Sequence, residues 1–264
     1  MTTAPSSRTS KIVTAAADTF DVTCRNLLNL RRTPQALVYG AVQPVLFVLL
    51  FRYAFGGAIH VPGVRYVDYL VPGIFAQGVT FGAIGTAVGL SYDLRAGLLE
   101  RFRTLPMCRA AVLTGRTLAD LARNLIVVAV VTAVGFAVGF RVQTNALAFL
   151  AALAVVALFA YALSWAFVVV GLRVSDPEAA QAAGVPFMFV LVFASTAFVP
   201  LGSMPGWLQV FAARQPVTAL VEAVRALVLG GPTAGRVLES LAWSVGLLAV
   251  FATLAIRAYR QMSL

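Results

Sequence analysis

Apolar residues run along this chain in six stretches long enough to cross a lipid bilayer, taking about 20 residues as the length a helix needs for the hydrocarbon core. The pattern predicts spans over 36–55, 68–90, 118–140, 146–172, 179–199 and 238–256. Between the second and the third, the segment 91–116 interrupts the pattern with a dense arginine cluster. Each arginine at the bilayer centre costs about 2.5–3.5 kcal/mol on insertion scales, which places Arg95, Arg101, Arg103 and Arg109 outside the hydrocarbon. Leu94, Leu98, Phe102 and Leu105 recur at helical spacing and form one apolar stripe, while Arg95, Glu100 and Arg103 point elsewhere. The predicted result is an amphipathic helix on the membrane surface.

Two further segments carry helical periodicity without the length to span. Before the first span, Ile12, Ala16, Phe20, Cys24, Leu27 and Leu28 fall near one face, with Asp18, Asp21, Arg25, Arg31 and Arg32 away from it. This predicts an interfacial helix held by apolar burial and by arginine contact with anionic lipid headgroups. Between the fifth and sixth spans, Pro205, Pro216 and Pro232 cut an apolar helical pattern into two short pieces, which read as interfacial or re-entrant helices. A seventh span there would put Arg214, Glu222 and Arg225 into lipid and send Arg257 and Arg260 to the opposite side, so that count is rejected.

Composition agrees with this picture and adds a sidedness. The chain of 264 residues is 60% hydrophobic and 11% charged, with a mean hydropathy of +0.89, values far from those of an ordinary soluble domain. Of its 20 basic residues all but Lys11 are arginine, against 10 acidic ones. With six spans, the basic residues before span 1, between spans 2 and 3, between spans 4 and 5 and after span 6 share one side. Arg52, Arg65, Arg141, Arg214, Arg225 and Arg236 are left on the other. The positive-inside rule then expects both termini in the cytoplasm of a multi-pass protein of the inner (plasma) membrane. Residues 1–34 become a cytoplasmic tail with its interfacial helix, and 35–264 a single six-span domain. No cleavable leader pattern precedes span 1, which is expected to act as the insertion signal. Cys24 and Cys108 fall on the expected cytoplasmic side, so no disulfide is expected, and neither they nor the lone His60 has metal-ligand spacing. No nucleic-acid motif accompanies the positive charge.

The candidate chemistry is sparse. Gly78, Gly82, Gly85 and Gly89 lie on one face of span 2, a small-residue face suited to close packing against another helix. Static packing is the simpler reading; a face that slides during transport is the alternative. Asp120, flanked by Arg116 and Arg123 at i−4 and i+3, reads as a local ion pair, and the spans offer almost no further acids for a proton relay. Nucleophile elbow, zinc-binding histidine pair and phosphate loop are all missing. Uphill transport by this chain would need energy from another subunit.

Three blocks taken together, RFRTLPMCRAAVLTGR, VPLGSMPGWLQVFA and QPVTALVEAVRALVLGGP, resemble the membrane-spanning subunits of ABC-2-type transporters, in particular the daunorubicin-resistance-like permeases. One departure is Gln215 before Pro216, where that pattern has asparagine; it is expected to alter the external helix turn without changing the class. The resemblance implies an all-α type V exporter fold, with six transmembrane helices, an N-terminal interfacial helix, a cytoplasmic coupling helix and short external helices before span 6. It implies a non-catalytic permease without cofactors, joined to a second permease, as a homodimer or with a related chain, and to two copies of an ATP-binding subunit that holds ATP and Mg. Coupling would fall on Leu94, Arg95, Leu98, Leu99, Glu100, Arg101, Phe102, Arg103, Leu105 and Pro106. Trp207, Pro216, Glu222 and Arg225 would belong to the external helices. The expected activity is outward movement of a hydrophobic or amphipathic substrate such as a drug, lipid or glycolipid, with lipid-linked glycan export as a variant. A self-contained channel or intramembrane enzyme, in which the arginine loop is only a topological anchor, remains the alternative from a different class.

Overall fold

The computed structural model describes residues 8–32, 34–59, 61–97, 109–174 and 176–261. Leu98, Leu99, Glu100, Arg101, Phe102, Arg103, Leu105, Pro106 and Cys108, with most of the expected surface helix, lie outside the described residues, as does His60. The described residues form nine α-helices and no strand: α1 (Arg8–Arg32), α2 (Pro34–Leu50), α3 (Tyr66–Arg95), α4 (Arg109–Ala137), α5 (Ala146–Arg173), α6 (Pro177–Phe193), α7 (Gly206–Ala213), α8 (Pro216–Leu229) and α9 (Thr233–Gln261). A π-helical turn, Phe51–Phe55, prolongs α2.

Five helical stretches among the described residues are long and apolar enough to cross a membrane: Leu37–Phe55, Tyr66–Arg95, Ala110–Ala137, Ala146–Arg173 and Thr233–Tyr259. The expected fifth span is shorter than its hydropathy suggests. α6 covers 17 residues and stops at Phe193 instead of continuing to 199. Residues 194–199 leave the helix and fold onto α3, and Ser195 offers the backbone a local alternative, its Oγ donating to the Val192 carbonyl and accepting from the Ala197 N–H. Gly73 makes this approach feasible, because a Cβ there would collide with the Ala197 backbone.

α3 is the axis of the bundle. It packs against α4, α5, α6 and α8, while α9 runs along α5 and α1 along α4. Buried residues make up 67% of the apolar window of α3 but only 11% of those of α2 and α9, so the latter two present most of their surface outward. Leu70, Ile74 and Phe75 of α3 meet Phe159 of α5, Met188 of α6 and Leu220 of α8 in the main core. A second cluster joins Leu90, Leu113, Trp165, Leu172 and Tyr259 at the opposite end. The bundle therefore has two distinct ends. One gathers α1, the C-termini of α3, α5 and α9 and the N-terminus of α4; the other gathers the α2–α3, α4–α5 and α6–α9 connections.

The N-terminal helix packs through a different face from the apolar stripe. Val22 is buried, and a Cβ on Gly115 of α4 would press on Val22 and on the Thr19 carbonyl. Phe20 and Leu28 of the stripe are exposed. An interfacial helix has two apolar neighbours, protein and lipid, and the stripe's exposed members face away from the protein.

Candidate functional site

The end of the bundle that gathers the α6–α9 connections is built around Arg225. α8 begins with Pro216 at its first turn, where the missing N–H costs nothing. It spans 14 residues, about 21 Å, too short to cross the hydrocarbon, and inserts between α3, α5 and α9 with Arg225 only 5% exposed. The guanidinium donates to the Tyr69 carbonyl from Nε at 3.0 Å and Nη2 at 2.9 Å, to the Ala197 carbonyl at 3.0 Å and to Glu222 Oε1 at 3.0 Å. It also lies 3.3 Å from the centroid of the Tyr69 ring. Glu222 accepts a second hydrogen bond from Thr196 Oγ1 at 2.9 Å.

The carbonyls released where α6 ends are taken up in the same way. Tyr66 and Tyr69 hydroxyls donate to the carbonyls of Phe198 and Thr196 at 3.2 and 3.0 Å, and Gln215 Nε2 donates to the Ala194 carbonyl at 2.6 Å. Gln215 thus holds the end of α6 and makes no side-chain cap on its own helix. Trp207, on α7, is 75% exposed and takes no part in this network.

The opposite end, beside α1, is held by ion pairs. Arg116 of α4 pairs with Asp93 of α3 and, at 3.4 Å, with Asp120, and Arg123 lies 3.6 Å from the same Asp120. Arg95 at the end of α3 pairs with Asp176 at 2.8 Å, tying the end of α3 to the α5–α6 connection. Leu94 is partly buried and packs against the second core cluster.

Between the two ends, the glycines of α3 are covered by side chains of α4 and α2. A Cβ on Gly89 would collide with the Arg116 guanidinium, on Gly85 with that of Arg123, and on Gly82 with the Asn124 amide. Gly78 faces Pro44 and Val127 in ordinary contact. The involvement of Arg123 and Asn124 was open to sequence reasoning, since both stand inside the third apolar span. What periodicity does not give is the helix they lie against.

Long apolar helices around a buried axis, with intramembrane cations satisfied by carbonyls and carboxylates, define a multi-pass helical membrane protein. No group of metal-ligating side chains occurs among the described residues. Residues 19–229 match the family model described as ABC-2 type transporter, and the chain belongs to that family. Members are non-catalytic membrane components that work with an ATP-binding subunit, which holds the nucleotide. The chain is 32% identical over 94% of its length to the daunorubicin resistance ABC transporter permease protein DrrB1 of Streptomyces coeruleorubidus, 88% of which is covered. It is 29% identical over 94% of its length to the probable doxorubicin resistance ABC transporter permease protein DrrC of Mycobacterium tuberculosis, 90% of which is covered. A more distant relative is the putative transport permease ycf38 of Cyanophora paradoxa, 25% identical over 77% of this chain and 71% of that protein.

Proposed function

We propose that this permease forms the membrane pathway of an ATP-driven exporter that moves a hydrophobic or amphipathic substrate, a drug or a lipid, out of the cell. The observation that carries the reading is its similarity, over nearly its whole length, to a permease named for daunorubicin resistance. In this reading α6 is the fifth of the six spans of a type V exporter: 17 residues rise about 26 Å, at the short end of what crosses a bilayer. Both termini and the arginine-rich end face the cytoplasm, and the Arg225 end faces outward, in keeping with the positive-inside rule. Two permeases, identical or related, join two ATP-binding subunits, and the segment from Leu98 to Pro106, with Leu94 and Arg95 at the end of α3 beside it, couples them.

The coupling role has a direct test in the pair L98A and F102A. These substitutions remove the apolar knobs offered to a groove on the ATPase and leave every charge that fixes topology in place. In proteoliposomes with the ATP-binding subunit, substrate-stimulated ATP hydrolysis and export should fall together while membrane expression stays at the wild-type level. Normal stimulation and export by the double variant would reduce the arginine segment to a topological anchor.

A further inference from the structure

The inner half of the bundle contains a cation at a depth where the membrane does not tolerate one without a reason. Arg123 lies seven residues beyond Arg116 on α4, which is about 10 Å deeper at 1.5 Å per residue. α4 has 29 residues, about 43 Å, whereas the hydrocarbon core takes about 30 Å. With Ala137 at one boundary, the other falls near residue 117, and Arg123 sits inside it. Intramembrane cations of this kind face cavities and mark binding paths.

Arg123 does face one. It lines a cleft of about 180 Å³ between α2, α3 and α4, whose floor is the glycine face at Gly78, Gly82 and Gly85. The guanidinium donates from Nη2 to the Gly82 carbonyl at 2.7 Å, and its contact with Asp120 is long at 3.6 Å. Beside it Asn124 is 3% exposed and also lines the cleft, and its side-chain nitrogen has no hydrogen-bond partner. A buried amide without a partner is costly unless something binds to it.

The charge balance of the cleft is one-sided. Among the described residues its wall contains no carboxylate. Asp93 and Asp120 belong instead to an adjoining cavity of about 160 Å³, where Arg116 pairs with both. The two cavities share Arg123, and the second reaches Asn26 and Leu30 of α1, at the membrane surface. Gln43 of α2 adds one more polar side chain, and Pro44, Phe81 and Val127 make the remaining side-chain wall apolar. A soluble anion would have to leave water to reach this depth, whereas a lipid headgroup can enter from the leaflet beside α1 with its chains still in hydrocarbon.

We propose that this cleft holds the phosphate of an anionic phospholipid from the leaflet beside α1, with Arg123 and Asn124 as donors and the glycines of α3 providing the room. The site is independent of what the transporter carries, so it stands or falls apart from the export reading.

Native mass spectrometry of the full-length chain, purified in neutral detergent and titrated with phosphatidylglycerol or phosphatidylcholine of matched acyl chains, tests this. The wild type should retain one phosphatidylglycerol per chain in preference to phosphatidylcholine. R123Q and N124L should each weaken that preference about tenfold, the effect of losing one good polar contact, while R214Q at the other end should not. Equal retention of the two lipids, unchanged retention by R123Q and N124L, or displacement of the lipid by millimolar inorganic phosphate would overturn the proposal. Phosphatidylglycerol with a photoreactive headgroup gives a test on the wild type that does not depend on variants folding. Adducts should map to 78–85 or 119–127, and adducts confined to α1 or α9 would place the lipid elsewhere and refute the site.

Discussion

Replacing Arg225 by methionine removes one cation and four hydrogen bonds at nearly constant volume, which isolates the polar work of this end of the bundle. The carbonyls of Tyr69 and Ala197 lose a buried donor, and such acceptors cost about 1–3 kcal/mol each when left unpaired. Glu222 loses its cation but keeps Thr196 and is 26% exposed on its side chain, so it falls short of the full cost of a broken buried pair. These contributions overlap, and together they come to about 3–5 kcal/mol. At roughly 2–4 °C per kcal/mol for a chain of this size, R225M should melt about 6–20 °C below the wild type. Heating the detergent-solubilised protein and following the monodisperse peak by fluorescence-detected size exclusion reads this directly. R225K keeps the charge but has no planar fork for three acceptors, so it should fall between the two. An R225M protein melting within about 2 °C of the wild type would refute the argument, because the carbonyls at the end of α6 would then be satisfied without the guanidinium.

Two further outcomes follow from the packing and the sidedness. G73A should destabilise the bundle markedly in the same melting assay and G85A little, because the added methyl meets rigid backbone at Ala197 in the first case and the movable end of Arg123 in the second; equal shifts would contradict that distinction. In a background with Cys24 and Cys108 replaced by serine, G202C should react with an impermeant maleimide in intact cells and A96C only after permeabilisation, and the reverse pattern would invert the proposed orientation.

The spans were legible where hydropathy and local stop signals coincide. The first was expected over 36–55 and is found at Leu37–Phe55; the fourth, expected over 146–172, is the helix Ala146–Arg173. Asn145 marks the start of that helix, its side chain accepting from the Ala148 N–H at 2.8 Å. The third span is displaced: α4 begins at Arg109 and closes at Ala137, followed by Gly139 at φ +101°. Its charged first turns lower the hydropathy of a segment that is helical all the same.

The end of α6 shows why the remainder was not legible. A hydropathy window carries the span through residues 194–199, although Ser195 bonds its own backbone there and Pro200 follows directly. The open backbone is then satisfied from far along the chain, by Tyr66, Tyr69, Gln215 and Arg225, which bring donors to the Phe198, Thr196, Ala194 and Ala197 carbonyls. A backbone leaving a helix at membrane depth requires such partners, so a hydropathy window, which reads only neighbours along the chain, has no means of seeing them. The glycine face has the same limitation. Its spacing shows that one side of α3 is small, but whether a backbone or a guanidinium fills the space depends on α4, where Arg116, Arg123 and Asn124 recur on the side turned toward α3. Periodicity reports the shape of a surface, and polar residues inside an apolar span indicate what covers it: each must find a partner within reach, and the smallest facing surface is where a long side chain fits.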